Sequence, residues 1–178
     1  MAQSNHTRAL LAVVAGILLG APWFDLNLYW TAWLGAVPLL FALRGVRLRA
    51  ALLLGWLAGA VYYAIATYWI IDFVINLRGF SWPVAALLGG VFWAYAGLAV
   101  GLSCLLFRWI SRHLPRWDLL SFPVCMVVLM AAYPLLVGTY YAEAQSRFLV
   151  GLQGVALLGV QSMDMLLMLT GALVFTLL

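Results

Sequence analysis

Long apolar runs, separated by short stretches that carry arginine or a mix of aromatic and polar residues, divide the chain into about six helices long enough to cross a membrane. The clearest run lies between Arg47 and Ile71, RLRAALLLGWLAGAVYYAIATYWII, with arginines at one end and Tyr68 and Trp69 at the other. About 20 uncharged residues lie between them, enough for ~30 Å of hydrocarbon. The pattern predicts spans at about 9–24, 28–43, 50–71, 84–110, 119–137 and 157–178, in a single polytopic domain over 1–178. Asp25 to Asn27 is a polar turn that caps the second span, and Ser81 caps the fourth with Pro83 in its first turn. Pro123 falls in the first turn of the fifth span, and Pro134 kinks or ends it. Asp72 to Pro83 reads as an amphipathic loop, and Phe148 to Gly159, broken by Gly151 and Gly154, as a piece lying along the interface. The last run stops at Leu178 without a basic or aromatic flank, which reads as a helix cut short.

Small residues add a packing expectation. Ala51, Gly55 and Gly59 make one face of the third span, and Gly90, Ala94, Gly97 and Gly101 recur on the fourth at helical spacing. Consecutive antiparallel helices joined by a short connection lie side by side, so these two faces are expected to meet.

Composition and charge narrow the class. The chain is 67% hydrophobic and 8% charged, which excludes a soluble domain, and it has no basic tract for nucleic acid. Arg8, Arg44, Arg47, Arg49, Arg108, Arg112 and Arg116 fall on one side of the predicted helices and Arg78 and Arg147 on the other, so the N-terminus is expected in the cytoplasm. The run from Ala9 to Gly20 has the outline of a secretory signal. It lacks a good cleavage site and another span follows at once, so it is read as the first helix.

Chemistry is scarce. His6 and His113 lie on the arginine-rich side while Asp25, Asp72, Glu143 and Asp164 belong to the other half, so no nucleophilic triad assembles. Cys104 and Cys125 sit in apolar sequence as packing residues, no metal-ligand spacing or cofactor motif occurs, and lysine is absent. No catalytic residue, metal ligand or cofactor is assigned. What remains is an outer rim of Trp69, Tyr140, Tyr141, Glu143, Gln145 and Arg147, joined by Asp72, Asn76 and Arg78, with Asp164 below. Such a rim is either a solvated loop or a site for a lipid head group or docking partner. If its helix starts near Leu157, Asp164 lies roughly 10 Å below the start and needs Arg147, Tyr140 or a helix N-terminus as partner.

Several of these residues form a pattern. Gly55, Gly59, Trp69, Gly79 and Pro83, with WLGAVPLL at 33–40, YAEAQ at 141–145 and GVQSMDMLL at 159–167, resemble the membrane-embedded N-terminal region of bacterial apolipoprotein N-acyltransferase over nearly the whole chain. The resemblance implies a multi-pass protein of the bacterial inner membrane, in a family that moves an acyl chain from a phospholipid to the N-terminal amine of a lipoprotein precursor. That family's Glu, Lys and Cys catalytic residues lie in a nitrilase-like domain after a seventh helix, and none maps onto this chain. By resemblance this chain is a platform, inactive by itself, with phospholipid, a lipoprotein precursor and a catalytic domain or subunit as partners. After the fifth span, Tyr133, Pro134, Gly138 and Thr139 stand where the family carries a Glu and Arg pair and a Gly-Phe-Pro-Trp element. The alternative is a free-standing, non-enzymatic membrane scaffold; a small transporter is disfavoured, since broken midplane helices are lacking.

Overall fold

The structure, a computed structural model, describes residues 4–178, and all regular structure among them is helical. The first helix, α1 (Asn5–Gly20), starts at Ser4, whose Oγ accepts from the Thr7 amide at 3.2 Å. It tightens into a 3-10 turn at Ala21–Trp23. The second apolar segment is not one smooth helix. It comprises a 3-10 turn at Leu26–Leu28, α2 (Thr31–Leu34) and α3 (Ala36–Leu43). Between α2 and α3, a Cβ on Gly35 would stand 2.6 Å from the Leu19 side chain of α1, so a larger residue there requires Leu19 to shift.

The third span departs from expectation. It runs as α4 (Leu48–Ala66) and stops at Thr67, five residues before the expected loop at Asp72; a separate helix, α5 (Ile70–Arg78), follows where a loop was expected. The cause is local chemistry set by a distant partner. The Thr67 hydroxyl donates to Tyr63 O at 2.6 Å and accepts from Trp93 Nε1 at 3.1 Å, and Thr67 itself is non-helical at φ −126°. Gly79, at φ +68°, closes α5 in the left-handed conformation that glycine adopts without a Cβ penalty.

Next come α6 (Trp82–His113), α7 (Asp118–Ala132), α8 (Leu149–Leu158) and α9 (Val160–Leu177). Pro123 lies inside α7 rather than in its first turn, and α7 ends at Ala132, before Pro134, because the residue preceding a proline avoids the helical region: Tyr133 is extended at ψ 131°. The last span begins at Val160, not Leu157, because Gly159 at φ +82° separates it from α8. Among the described residues six segments are long and apolar enough to cross a membrane, which makes this a multi-pass membrane protein.

The core is the seam between α4 and α6. A Cβ on Gly59 would stand 2.7 Å from Gly97 O, one on Gly97 2.6 Å from Ala60 N, and one on Gly101 2.9 Å from Leu52 O. Gly55 faces Cys104, and Trp56 Nε1 donates to Ala94 O at 2.8 Å. The backbones touch because side chains are absent there, and the gain is close van der Waals packing. Gly90 stands outside this seam, with nothing within 4 Å of its Cβ position. Near that level α4 has already ended, and it is Gly89 that faces Ile70 and Ile71 of α5.

The arginine-rich end is tied by side chains to loop carbonyls. Arg8 Nη1 donates to Ala42 O and Arg44 O, both at 2.8 Å, and Arg108 Nε donates to Val46 O at 3.0 Å. The residues expected on the cytoplasmic face therefore share one end of the molecule, leaving the other end for the rim.

Candidate functional site

At the opposite end, residues 133–148 fold back over the helix ends. Tyr133 and Tyr95 fix the start of this segment reciprocally: Tyr133 OH donates to Tyr95 O at 3.0 Å, and Tyr95 OH donates to Pro134 O at 2.7 Å. A 3-10 helix then spans Tyr141–Gln145. Gln145 is fully buried: its Oε1 accepts from Trp33 Nε1 and its Nε2 donates to Tyr29 O, each at 2.9 Å. The amide thus links the segment to α2 and the turn before it. Phe148 adds an edge-on contact to Trp33 at 5.9 Å.

Asp164 fixes the other side. Its helix begins at Val160, so the carboxylate lies about 6 Å along it by the 1.5 Å rise, shallower than a start at Leu157 implies. It is buried, and Oδ1 accepts from the Ala142 amide at 2.7 Å. The partner is therefore a backbone N–H of the 3-10 helix, and among the described residues neither Arg147 nor Tyr140 bonds to it. Asp164→Ala is expected to strand that amide at a cost of about 1–3 kcal/mol, whereas Asp164→Asn keeps an acceptor and loses less. Thermal midpoints of the two variants in detergent check the ordering.

The remaining rim residues divide. Tyr140 and Glu143 form a local pair, with the Tyr140 amide donating to Glu143 Oε2 at 3.4 Å. Partial burial raises the Glu143 carboxyl above the usual range, while that amide draws it down. Trp69 packs edge-on against Phe73, 6.0 Å away, at the start of α5, and Arg147, Asp72, Asn76 and Arg78 are exposed. The structure thus joins Tyr141, Gln145 and Asp164 around one 3-10 helix and leaves the charged rim residues facing outward.

Tyr141 turns inward rather than outward. Its ring lies 4.8 Å from that of Tyr62, which in turn lies 5.0 Å from Tyr63. Burial raises the Tyr141 phenol well above its ordinary value, and the neighbouring phenols of Tyr62 and Tyr63 push the same way, so it is a neutral donor at physiological pH. The Thr139 hydroxyl lies against the phenols of Tyr62 and Tyr63 without a well-formed hydrogen bond, and the buried Tyr141 hydroxyl has no partner. Buried polar groups are rarely left so, which marks this cluster as incomplete. Sequence reasoning missed Tyr62 and assigned Tyr29 and Trp33 no role here. The available signal was the pair Tyr62 and Tyr63, polar-tipped aromatics within an apolar span.

Beside the cluster, α5, α6 and the extended residues after α7 enclose an apolar groove of about 560 Å³. Ile70, Phe73, Val91, Phe92, Leu136 and Val137 line it. Phe92 connects the two features, its ring edge-on to Tyr63 at 6.4 Å.

These features define a multi-pass helical membrane domain with a buried polar cluster and an apolar groove at one end. Residues 15–173 match the apolipoprotein N-acyltransferase N-terminal domain, and the chain belongs to that family. No curated protein and no solved structure matched it.

Proposed function

We propose that this chain is the membrane platform of an apolipoprotein N-acyltransferase-like protein of the bacterial inner membrane, holding phospholipid at the outer leaflet for acyl transfer carried out by a nitrilase-like domain. The observation that carries this reading is the family match over 15–173, the membrane part. The groove supports it: an apolar trough of about 560 Å³ at the end opposite the arginines suits part of an acyl chain. Its neighbour, the buried Tyr141 hydroxyl, lacks an acceptor and suits an ester or phosphate oxygen that such a chain brings. The outer rim of Trp69, Tyr140, Glu143 and Arg147 then meets the head group or the lipoprotein precursor.

The test is photo-crosslinking with a phospholipid carrying a diazirine on its acyl chain. Label is expected on α5, α6 and residues 133–137, and Val91→Trp, which fills the groove, is expected to reduce it about tenfold. Label spread evenly over every lipid-facing helix, or undiminished by Val91→Trp, would overturn the groove assignment. Glu143→Ala and Arg147→Ala probe the rim, and unchanged binding of a labelled phospholipid would remove the rim from the site.

A further inference from the structure

The arginine-rich end holds a second cavity, of about 260 Å³, bounded by α3, α6, the start of α7 and the end of α9. Arg44, Arg108, Ser111 and Asp118 form its polar wall, and Phe107 and Phe175 face them. The polar groups are partly committed. Arg108 gives Nε to Val46 O and Nη1 to Ser111 Oγ at 3.2 Å, and Ser111 Oγ donates to Asp118 Oδ2 at 2.9 Å. Arg108 also stands near enough to Asp118 to serve as its counter-charge, and two groups keep capacity for a ligand. Asp118 Oδ1 is buried with no hydrogen-bond partner, and Arg44 is exposed with its guanidinium 5.8 Å above the Phe175 ring.

From Asp118 a narrower cleft continues between Phe107, Leu119, Ala172 and Phe175, with a largely apolar lining. The whole is a mixed-charge mouth beside an apolar cleft of about 40 Å³, which takes the first part of an apolar group and leaves longer tails to the outer helix faces. An occupant that uses both groups brings an anion to Arg44 and an N–H or O–H donor to Asp118 Oδ1. Water satisfies the carboxylate and leaves Arg44 without a counter-charge. Inorganic phosphate satisfies Arg44 and brings no positively charged donor to Asp118. A phosphate ester bearing a primary ammonium satisfies both, whereas a quaternary ammonium has no N–H to give.

We propose that this cavity binds the phosphate and primary-ammonium head group of a phospholipid in the leaflet at the arginine-rich end, with Arg44 on the phosphate and Asp118 on the ammonium. The site lies at the opposite end of the helices from the groove and does not depend on it.

Native mass spectrometry of the delipidated chain with short-chain phospholipids tests this. Phosphatidylethanolamine is expected to bind about tenfold tighter than phosphatidylcholine of equal chain length, the worth of one charge-assisted hydrogen bond. Asp118→Asn, which keeps an acceptor for Ser111, is expected to bring the two lipids within about twofold of each other. Arg44→Gln is expected to weaken both lipids and leave their ratio unchanged, and it serves as the decisive variant should Asp118→Asn fail to fold. Val91→Trp is expected to remove lipid held in the groove and to keep the part of the preference that Asp118→Asn abolishes, which separates this site from the groove. Equal binding of the two lipids, a preference untouched by Asp118→Asn, or full binding after Arg44→Gln would overturn the proposal. Free O-phosphoethanolamine binding as tightly as the lipid would overturn the lipid assignment.

Discussion

Gln145→Leu is expected to loosen the segment over the outer helix ends more than any other single change in the rim. Gln145 is fully buried and makes two hydrogen bonds to residues more than a hundred positions away in sequence, Trp33 Nε1 and Tyr29 O. Leucine fills similar space but supplies neither acceptor nor donor, leaving the half-buried Trp33 Nε1 and Tyr29 O without their partner at about 1–3 kcal/mol each at most. In a chain of this size each kcal/mol corresponds to about 2–4 °C in the thermal midpoint. A second readout is local: Arg147 is exposed two residues on, so tryptic cleavage after it is expected to quicken as the segment opens. Gln161→Leu, at an exposed position on α9, is the control and is expected to move stability by no more than about 0.5 kcal/mol. If both variants melt together and cleave at the same rate, Gln145 does not hold this segment.

Gln145 also marks the limit of what the sequence reveals. Within YAEAQ a glutamine that follows an alanine and precedes Ser146 and Arg147 reads as part of a solvated rim, since nothing in five residues distinguishes a 3-10 helix that turns it inward. Its partners, Tyr29 and Trp33, lie on the other side of several helices, and only their assembly reveals the amide's role. The break at Thr67 has the same origin: a threonine within an apolar run is ordinary, and it ends α4 here in concert with Trp93 on α6. By contrast, the spans themselves were legible. Hydrocarbon thickness sets a length, arginine and tryptophan mark the limits, and neither depends on a distant partner. Asp164 stands between these cases. Its need for a partner followed from a carboxylate inside an apolar helix, but the identity of that partner, the Ala142 amide, depended on how residues 133–148 fold back.

Gly97→Val carries the second large expected effect, in the seam rather than the site. A Cβ at residue 97 would stand 2.6 Å from Ala60 N and 3.0 Å from both Ala60 Cα and Trp56 O, before either γ carbon of a valine is added. These neighbours are backbone, so no rotamer change relieves the contact and α4 and α6 must move apart. Overpacking of this kind costs about 1–3 kcal/mol in a well-packed core, and helix seams that rely on close backbone approach sit at the upper end. The separation also stretches the Trp56 Nε1 to Ala94 O bond, and it shifts Phe92 against Tyr63, where the seam adjoins the groove. Gly97→Val is therefore expected to lower both the thermal midpoint and acyl-chain crosslinking in the groove. Gly90→Val, two turns away on the same helix with open space at its Cβ, is expected to lower neither by comparable amounts. The pair discriminates between a general loss of glycine in α6 and a specific contact: equal sensitivity at 90 and 97 would mean that α4 and α6 do not meet in this register.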